Sequence, residues 1–266
     1  MSALIAPPEL EHLTPHDLVT YFHCPLEMEL HREARAQQLG RAPPPVRTPA
    51  SVIPLHHSPM YSPPLGHLEV NEGRLDVEEH DRLVYEDDDE DDLPVLFPPE
   101  RVQRDPRFAN GRGNLTDLEL GLTGRPDLII LRANGEYVPV EYKSTHLFVG
   151  YHEAHGRAFD TVQSIAECRL VHAAFGRRPS YGLVLYGDAS GSGAREGWVK
   201  IPYDDAEERW LRVVLGQIRG DATRAPVPAE RNCGSCEPNS EGRCRFAAAR
   251  YEGPHHRLTF LATRRG

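Results

Sequence analysis

Asp127 and the tripeptide Glu141-Tyr142-Lys143 are separated by thirteen residues, and each adjoins an apolar run. Two carboxylates brought to one point hold a divalent cation such as Mg²⁺ or Mn²⁺ through hard oxygen ligands. Such a cation polarises a phosphodiester and lowers the pKa of a bound water. Glu141 and Lys143 are two apart, so on a strand they share a face. The lysine can then orient the attacking water or offset charge building on the phosphate. Composition also singles this lysine out, because of 30 basic residues only Lys143 and Lys200 are lysine. On its own, the D-x(13)-E-x-K pattern fits an ordinary hairpin with exposed charges equally well.

A second constellation lies near the C-terminus. Cys233-Gly-Ser-Cys236 is followed, after seven residues, by Cys244. Three thiolates at this spacing point to a metal, and a four-coordinate site needs one more ligand. Cys24 and Cys168 are the candidates. Cys24 sits at a break between two expected helices, where a thiolate can face a distant segment. Cys168 falls inside a helical pattern and reads as a small core residue. Zinc ribbons take their ligands as two local pairs. One distant cysteine plus three C-terminal ones suits a [4Fe-4S] cluster that ties the chain ends together, and iron–sulfur is favoured over zinc.

The elements that must position these groups are readable in outline. Residues 127–131 (DLIIL) and 137–143 (YVPVEYK) read as strands, with Asn134-Gly135 as the turn between them. A two-residue turn would pair Asp127 with Tyr142 and send the two carboxylates to opposite faces. A three-residue loop, Ala133-Asn134-Gly135, pairs Asp127 with Glu141 on one face and needs Gly135 in the left-handed region. Residues 153–175 have helical periodicity, with Phe159, Val162, Ile165, Ala166, Leu170 and Ala173 on one side. Residues 181–186 and 198–201 read as strands and 204–218 as an amphipathic helix. Thr14-Pro15-His16-Asp17 is a helix start, with a cap, a first-turn proline and a capping-box-like acid. That helix should end near Phe22, a second should follow the break at Cys24-Pro25 and run to about Leu39, and residues 65–85 should supply strands. A short helix is expected at 245–251.

The 266 residues carry a net charge of −10, which alone argues against a nucleic-acid partner. Residues 86–92 read EDDDEDD, and without those seven acids the remainder carries −3. A local basic groove therefore remains open. The acidic run reads as a solvated loop. Eight prolines within residues 41–64 exclude regular structure there and mark a linker, and residues 224–230 read as a Pro-punctuated connection. No apolar run reaches the length of a membrane span, and the first thirteen residues lack a secretory pattern. With five cysteines in no disulfide-like framework, a cytoplasmic location is expected.

Five segments, in order, then carry a family resemblance. They are Leu13 to Pro25 (LTPHDLVTYFHCP), Gly124-Arg125-Pro126-Asp127, Pro139-Val140-Glu141-Tyr142-Lys143, Asp160-Thr161-Val162-Gln163 and the Cys233/Cys236/Cys244 motif. Together they resemble the CRISPR-associated Cas-four exonucleases, in the RecB-like branch of the PD-(D/E)XK nucleases. The resemblance spans most of the chain. It implies an α/β fold with a restriction-endonuclease-like PD-(D/E)XK core and a helical Fe–S region joining N- and C-terminal segments. The corresponding division is residues 1–40 for the N-terminal helices, 41–114 for an insertion-rich segment, 115–222 for the nuclease core and 223–266 for the cluster segment.

The resemblance also implies roles. Asp127, Glu141 and the Tyr142 backbone carbonyl would hold Mg²⁺ or Mn²⁺. Lys143 would be the catalytic lysine, and Gln163 would contact it or the DNA backbone. Cys24 would complete the [4Fe-4S] cluster with Cys233, Cys236 and Cys244. The expected partner is DNA, single-stranded or with single-stranded ends, together with CRISPR integrase proteins or a helicase or defence partner. Two departures stand out. Where the family usually has a metal-binding histidine, this chain has Val77; His80 and His67 are candidates to replace it, and His80 is the favoured one. Where a tyrosine often follows the glutamine by four residues, this chain has Glu167.

Two principal functions follow. One is a metal-dependent deoxyribonuclease, an exonuclease or endonuclease, acting in prespacer processing, DNA repair or defence. The other is a catalytically weak DNA-binding or scaffold subunit that keeps the fold and the cluster. A zinc-stabilised interaction module is a third reading.

Overall fold

The computed structural model describes residues 12–23, 28, 34, 37–38, 40, 53–54, 68–87, 96–108, 114–144, 158–187, 197–219 and 226–227. The chain divides into two compact units. One comprises Met1–Pro15 and Pro64–Leu211, the other His16–Pro63 and Arg212–Gly266. The four expected cluster cysteines, Cys24, Cys233, Cys236 and Cys244, lie outside the described residues. So do His67 and the helix expected at 245–251.

Helix α1 spans Pro15–His23, all but its first residue in the second unit, with Pro15 at its first position and Asp17 in its first turn. Proline fits there because its missing N–H would have had no helical partner. Strand β1 (Ile53–Pro54) pairs in parallel with β10 (Pro226–Val227). Both fall in stretches where the prolines led us to expect no regular structure. Two residues per strand need few N–H donors, and proline's fixed φ is already close to extended.

The first unit is built on a six-stranded sheet. Its strands are β2 (Glu69–Glu72), β3 (Arg82–Glu86), β6 (Leu128–Leu131), β7 (Tyr137–Lys143), β8 (Tyr181–Tyr186) and β9 (Gly197–Pro202), in the spatial order β2-β9-β8-β7-β6-β3. A small antiparallel hairpin, β4 (Leu115–Asp117) with β5 (Leu122–Gly124), stands apart from it. The chain is thus mixed α/β, with this sheet as the core of the first unit. β7 and β8 run parallel, which requires a crossover. Helix α2 (Ala158–Phe175) supplies it. Helix α3 (Asp205–Arg219) follows β9 and buries Glu207, Trp210, Leu211, Val214, Leu215 and Ile218, the three-and-four spacing of an amphipathic helix.

The two faces of the sheet have different covers. Leu83, Leu128, Ile130, Val138, Val140, Leu183 and Leu185 form an apolar layer with Phe97 on one face, and Leu75, Val77, Leu96 and Val102 pack against it. Alternation along each strand sends Asp127, Glu141 and Lys143 to the other face, where α2 packs across β7 and β8. The opposite side of α2 meets β4 and β5. The helix is therefore buried nearly all round rather than along one stripe, and Ala173, expected on its apolar side, is exposed in the last turn.

Close approach of α2 to the sheet depends on Gly182. A Cβ at that position would fall 2.2 Å from Ser164 Oγ and 3.0 Å from Cys168 Sγ. Cys168 is buried and free, as expected of a core cysteine, and burial pushes its thiol pKa well up. Across the helix, Arg169 is held by Asp117 on β4 at 2.6 Å, by Glu119 at 2.8 Å and by Glu208 on α3 at 3.3 Å. These contacts fix the rotation of α2 about its axis.

Candidate active site

The site begins with a hairpin. β6 and β7 pair Leu128 with Val140 and Leu131 with Tyr137. Beyond them the Arg132 N–H donates to Glu136 O, and the Gly135 N–H donates to Arg132 O, both at 2.8 Å. The loop is Ala133-Asn134-Gly135, and Gly135 has φ of +80°. This is the three-residue loop, not the two-residue turn. Extended by one step, its register sets Asp127 opposite Glu141, and both carboxylates take the α2 face.

The hairpin is anchored at its closed end. The Glu136 carboxylate accepts hydrogen bonds from the Ser180 N–H and hydroxyl at the start of β8. The Glu136 N–H donates to Asn134 Oδ1 at 2.9 Å. Burial works to raise the Glu136 pKa, but the Ser180 bonds prevail and hold it below the usual carboxylate value.

At the open end, Asp127 Oδ2 accepts from the Tyr142 N–H at 2.6 Å. That bond draws the aspartate against the Glu141–Tyr142 peptide. The Asp127 carbonyl accepts from the Asp87 N–H at 2.8 Å, and the Asp87 carboxylate pairs with Arg125 at 2.7 Å. Glu86 and Asp87 belong to the acidic run read as a solvated loop. Instead, Glu86 pairs with Leu128 in the β3–β6 ladder and Asp87 is buried, because the ladder and Arg125 give them partners. Residues 88–92 lie outside the described residues.

Lys143 stands at the centre. Its Nζ donates to Glu141 Oε1 at 2.5 Å and to Gln163 Oε1 at 2.9 Å. Burial acts to lower its pKa, but the Glu141 charge outweighs burial, with Asp160 and Glu167 adding to it, and holds the ammonium above the usual lysine value. The structure thus joins Asp127, Glu141, Lys143 and Gln163 in one cluster on the α2 face.

Two acids read only as sequence context also belong to it. Asp160, in the first turn of α2, is buried and accepts from the Tyr186 hydroxyl at 2.5 Å. Glu167 is 1% exposed. Asp160, Gln163 and Glu167 follow i, i+3, i+7 spacing, which places them on one helix face. A polar stripe along an otherwise apolar helix was the available signal for both acids.

Other expected residues are not brought together. His80 is exposed just before β3. Its neighbour Asp81 pairs with Arg132, whereas Asp127 meets Asp87 just beyond the other end of β3. At about 3.3 Å per residue, His80 is roughly 20 Å along the strand from the carboxylates and is no ligand partner for them in this arrangement. Val77 packs on the sheet face opposite Glu141 and Lys143. Among the described residues, no group of three or more His, Cys, Asp or Glu side chains is arranged to hold a metal ion, and no helix is long and apolar enough to cross a membrane. No protein-family model matches the chain, and neither a curated protein nor a solved structure does.

Proposed function

We propose that this chain is a metal-dependent deoxyribonuclease that hydrolyses phosphodiesters of single-stranded DNA or DNA ends. We assign it to the RecB-like, Cas-four-like nucleases with a PD-(D/E)XK core. The observation that carries the reading is the Lys143 ammonium bridging Glu141 and Gln163, with Asp127 across the hairpin on the same sheet face.

The donor set suits a hard divalent cation. Asp127 and Glu141 offer carboxylate oxygens, and among the described residues no N–H or hydroxyl donates to either oxygen of the buried Glu167. Asp127 and Glu141 would hold Mg²⁺ or Mn²⁺, which supplies Lewis-acid polarisation of the phosphate and a more acidic attacking water. The chain's own groups do the rest. Glu141 and Gln163 aim the Lys143 ammonium, which stays protonated beside Glu141 and offsets charge developing on the phosphate. The Tyr142 N–H fixes the Asp127 rotamer. Arginines would carry the contacts to the DNA backbone, so binding should weaken as salt rises. The [4Fe-4S] cluster on Cys24, Cys233, Cys236 and Cys244 is assigned a structural role, tying chain ends together. Prespacer processing with CRISPR integrase proteins, end repair and another defence system are the settings this chemistry fits.

One observation favours a second reading. Val77 takes the place the family gives to a metal-binding histidine, and it packs into the apolar layer on the far face. A DNA-binding or scaffold subunit with little cleavage would tolerate that. A cleavage assay on end-labelled single-stranded DNA with Mn²⁺, using anaerobically purified protein, separates the two. The nuclease reading expects cleavage that Lys143→Ala abolishes. Equal traces from both proteins would favour the scaffold.

A further inference from the structure

Glu167 is a buried acid without a hydrogen-bond donor. It is 1% exposed, and neither carboxylate oxygen accepts from an N–H or a hydroxyl among the described residues. A carboxyl group so placed is costly unless something compensates it. Within hydrogen-bonding reach is Glu141, which is another carboxylate, and the Asp127 charge also acts on it. The compensation available from Lys143 is partial, because that ammonium is already shared between Glu141 and Gln163.

The backbone explains why Glu167 points there. Gln163 meets Lys143, and Glu167, four residues on, meets Glu141, two residues back. Four helical residues rise about 6 Å, and two strand residues span about 6.6 Å. α2 and β7 therefore run past each other in step, and Gly182 lets the helix come close enough for both side chains to reach. The aim of Glu167 into the site is set by the fold.

We propose that Glu167 is a third carboxylate ligand of the divalent cation, beside Asp127 and Glu141. This rests on the metal-dependent reading of the same site. With the cation bound and all three carboxylates ionised, three negative charges against one ammonium leave about −2, which one divalent cation neutralises. Without the cation, burial and the charges of Glu141 and Asp127 push the Glu167 carboxyl well above the usual carboxylate range. Among the described residues no three such side chains are already arranged around a metal ion: the Tyr142 N–H holds Asp127 and Lys143 holds Glu141, and the cation would have to draw both from those partners. All three donors are hard oxygens, the set that takes Mg²⁺ or Mn²⁺.

The test is Mn²⁺ binding by the full-length, anaerobically purified protein, read as loss of the free-ion electron paramagnetic resonance signal. Wild type, Glu167→Gln, Glu167→Leu and Asp127→Asn are compared, with melting temperatures taken with and without Mn²⁺. The expected result is affinity lower in both Glu167 variants by at least the roughly tenfold that loss of an outer partner costs. Glu167→Gln should keep the metal-free melting temperature and lose the rise that Mn²⁺ gives the wild type. Wild-type affinity in Glu167→Gln, with binding lost in Asp127→Asn, would overturn the third ligand and leave the metal site standing. Equal binding by wild type and Asp127→Asn would overturn both. If Glu167→Leu fails to fold, Glu167→Gln alone decides.

Discussion

Gln163 Oε1 lies 2.9 Å from Lys143 Nζ, and the same ammonium is 2.5 Å from Glu141 Oε1. The side chain of α2 thus aims the one on β7. Lys143 keeps its charge beside Glu141, so Gln163 acts on its position.

Gln163→Leu should therefore slow cleavage without unfolding the protein. A displaced ammonium of this kind costs up to about 10²-fold in rate. The loss should fall on kcat, with Mn²⁺ affinity close to that of the wild type. Steady-state cleavage at several Mn²⁺ concentrations checks it, and a loss confined to metal affinity would assign Gln163 a different role.

Gly135 sets the register that places Asp127 opposite Glu141. Its φ of +80° is one that a branched side chain adopts at a cost of about 1–3 kcal/mol. Gly135→Val should lower the melting temperature and reduce cleavage together. An unchanged melting temperature would mean that the loop tolerates the substitution and the register has another source.

Much of this geometry was legible because the residues are local. The strands at 137–143 and 181–186 are apolar runs bounded by turn residues, and their limits agree with β7 and β8. The parity argument at Ala133-Asn134-Gly135 needed only the wish to place two carboxylates on one face. What could not be read depended on partners distant in sequence. β4 and β5 are three residues each, too short to show a period, and Asp117 is buried because Arg169 reaches it. α2 looked one-sided because Ser164, Glu167 and Arg169 interrupt its apolar pattern. Each of the three is buried in the structure. His80 was near in sequence to the expected histidine position, but a strand's length separates it from the carboxylates.

The Glu136 carboxylate anchors the same hairpin through Ser180, and its pKa lies below the usual value. A depressed folded-state pKa stabilises above the unfolded pKa, and that stabilisation is lost as pH falls through the folded value. Glu136→Gln should destabilise the protein at pH 7 by up to about 1.5–3 kcal/mol, the range for hydrogen bonds to a charged group. The gap between variant and wild type should close as pH drops below the carboxylate range. Thermal melts at neutral and acidic pH test this, and a gap that does not depend on pH would remove the charge from the explanation.

The cysteine spacing carries its own prediction. Cys233→Ala should lose colour, iron and acid-labile sulfide together, with solubility, because a structural cluster contributes folding free energy. A variant that is colourless, folded and fully active would contradict the structural role.

The central claim is that Asp127 and Glu141 support metal-dependent cleavage of DNA. Its most direct test follows label release from 5′- and 3′-labelled single-stranded DNA by anaerobically purified protein, in Mn²⁺ and in chelator, beside Asp127→Asn. The account predicts release in Mn²⁺ alone, lost in the variant although its melting temperature without metal is preserved. Release that persists in chelator, or that Asp127→Asn leaves unchanged, would contradict it.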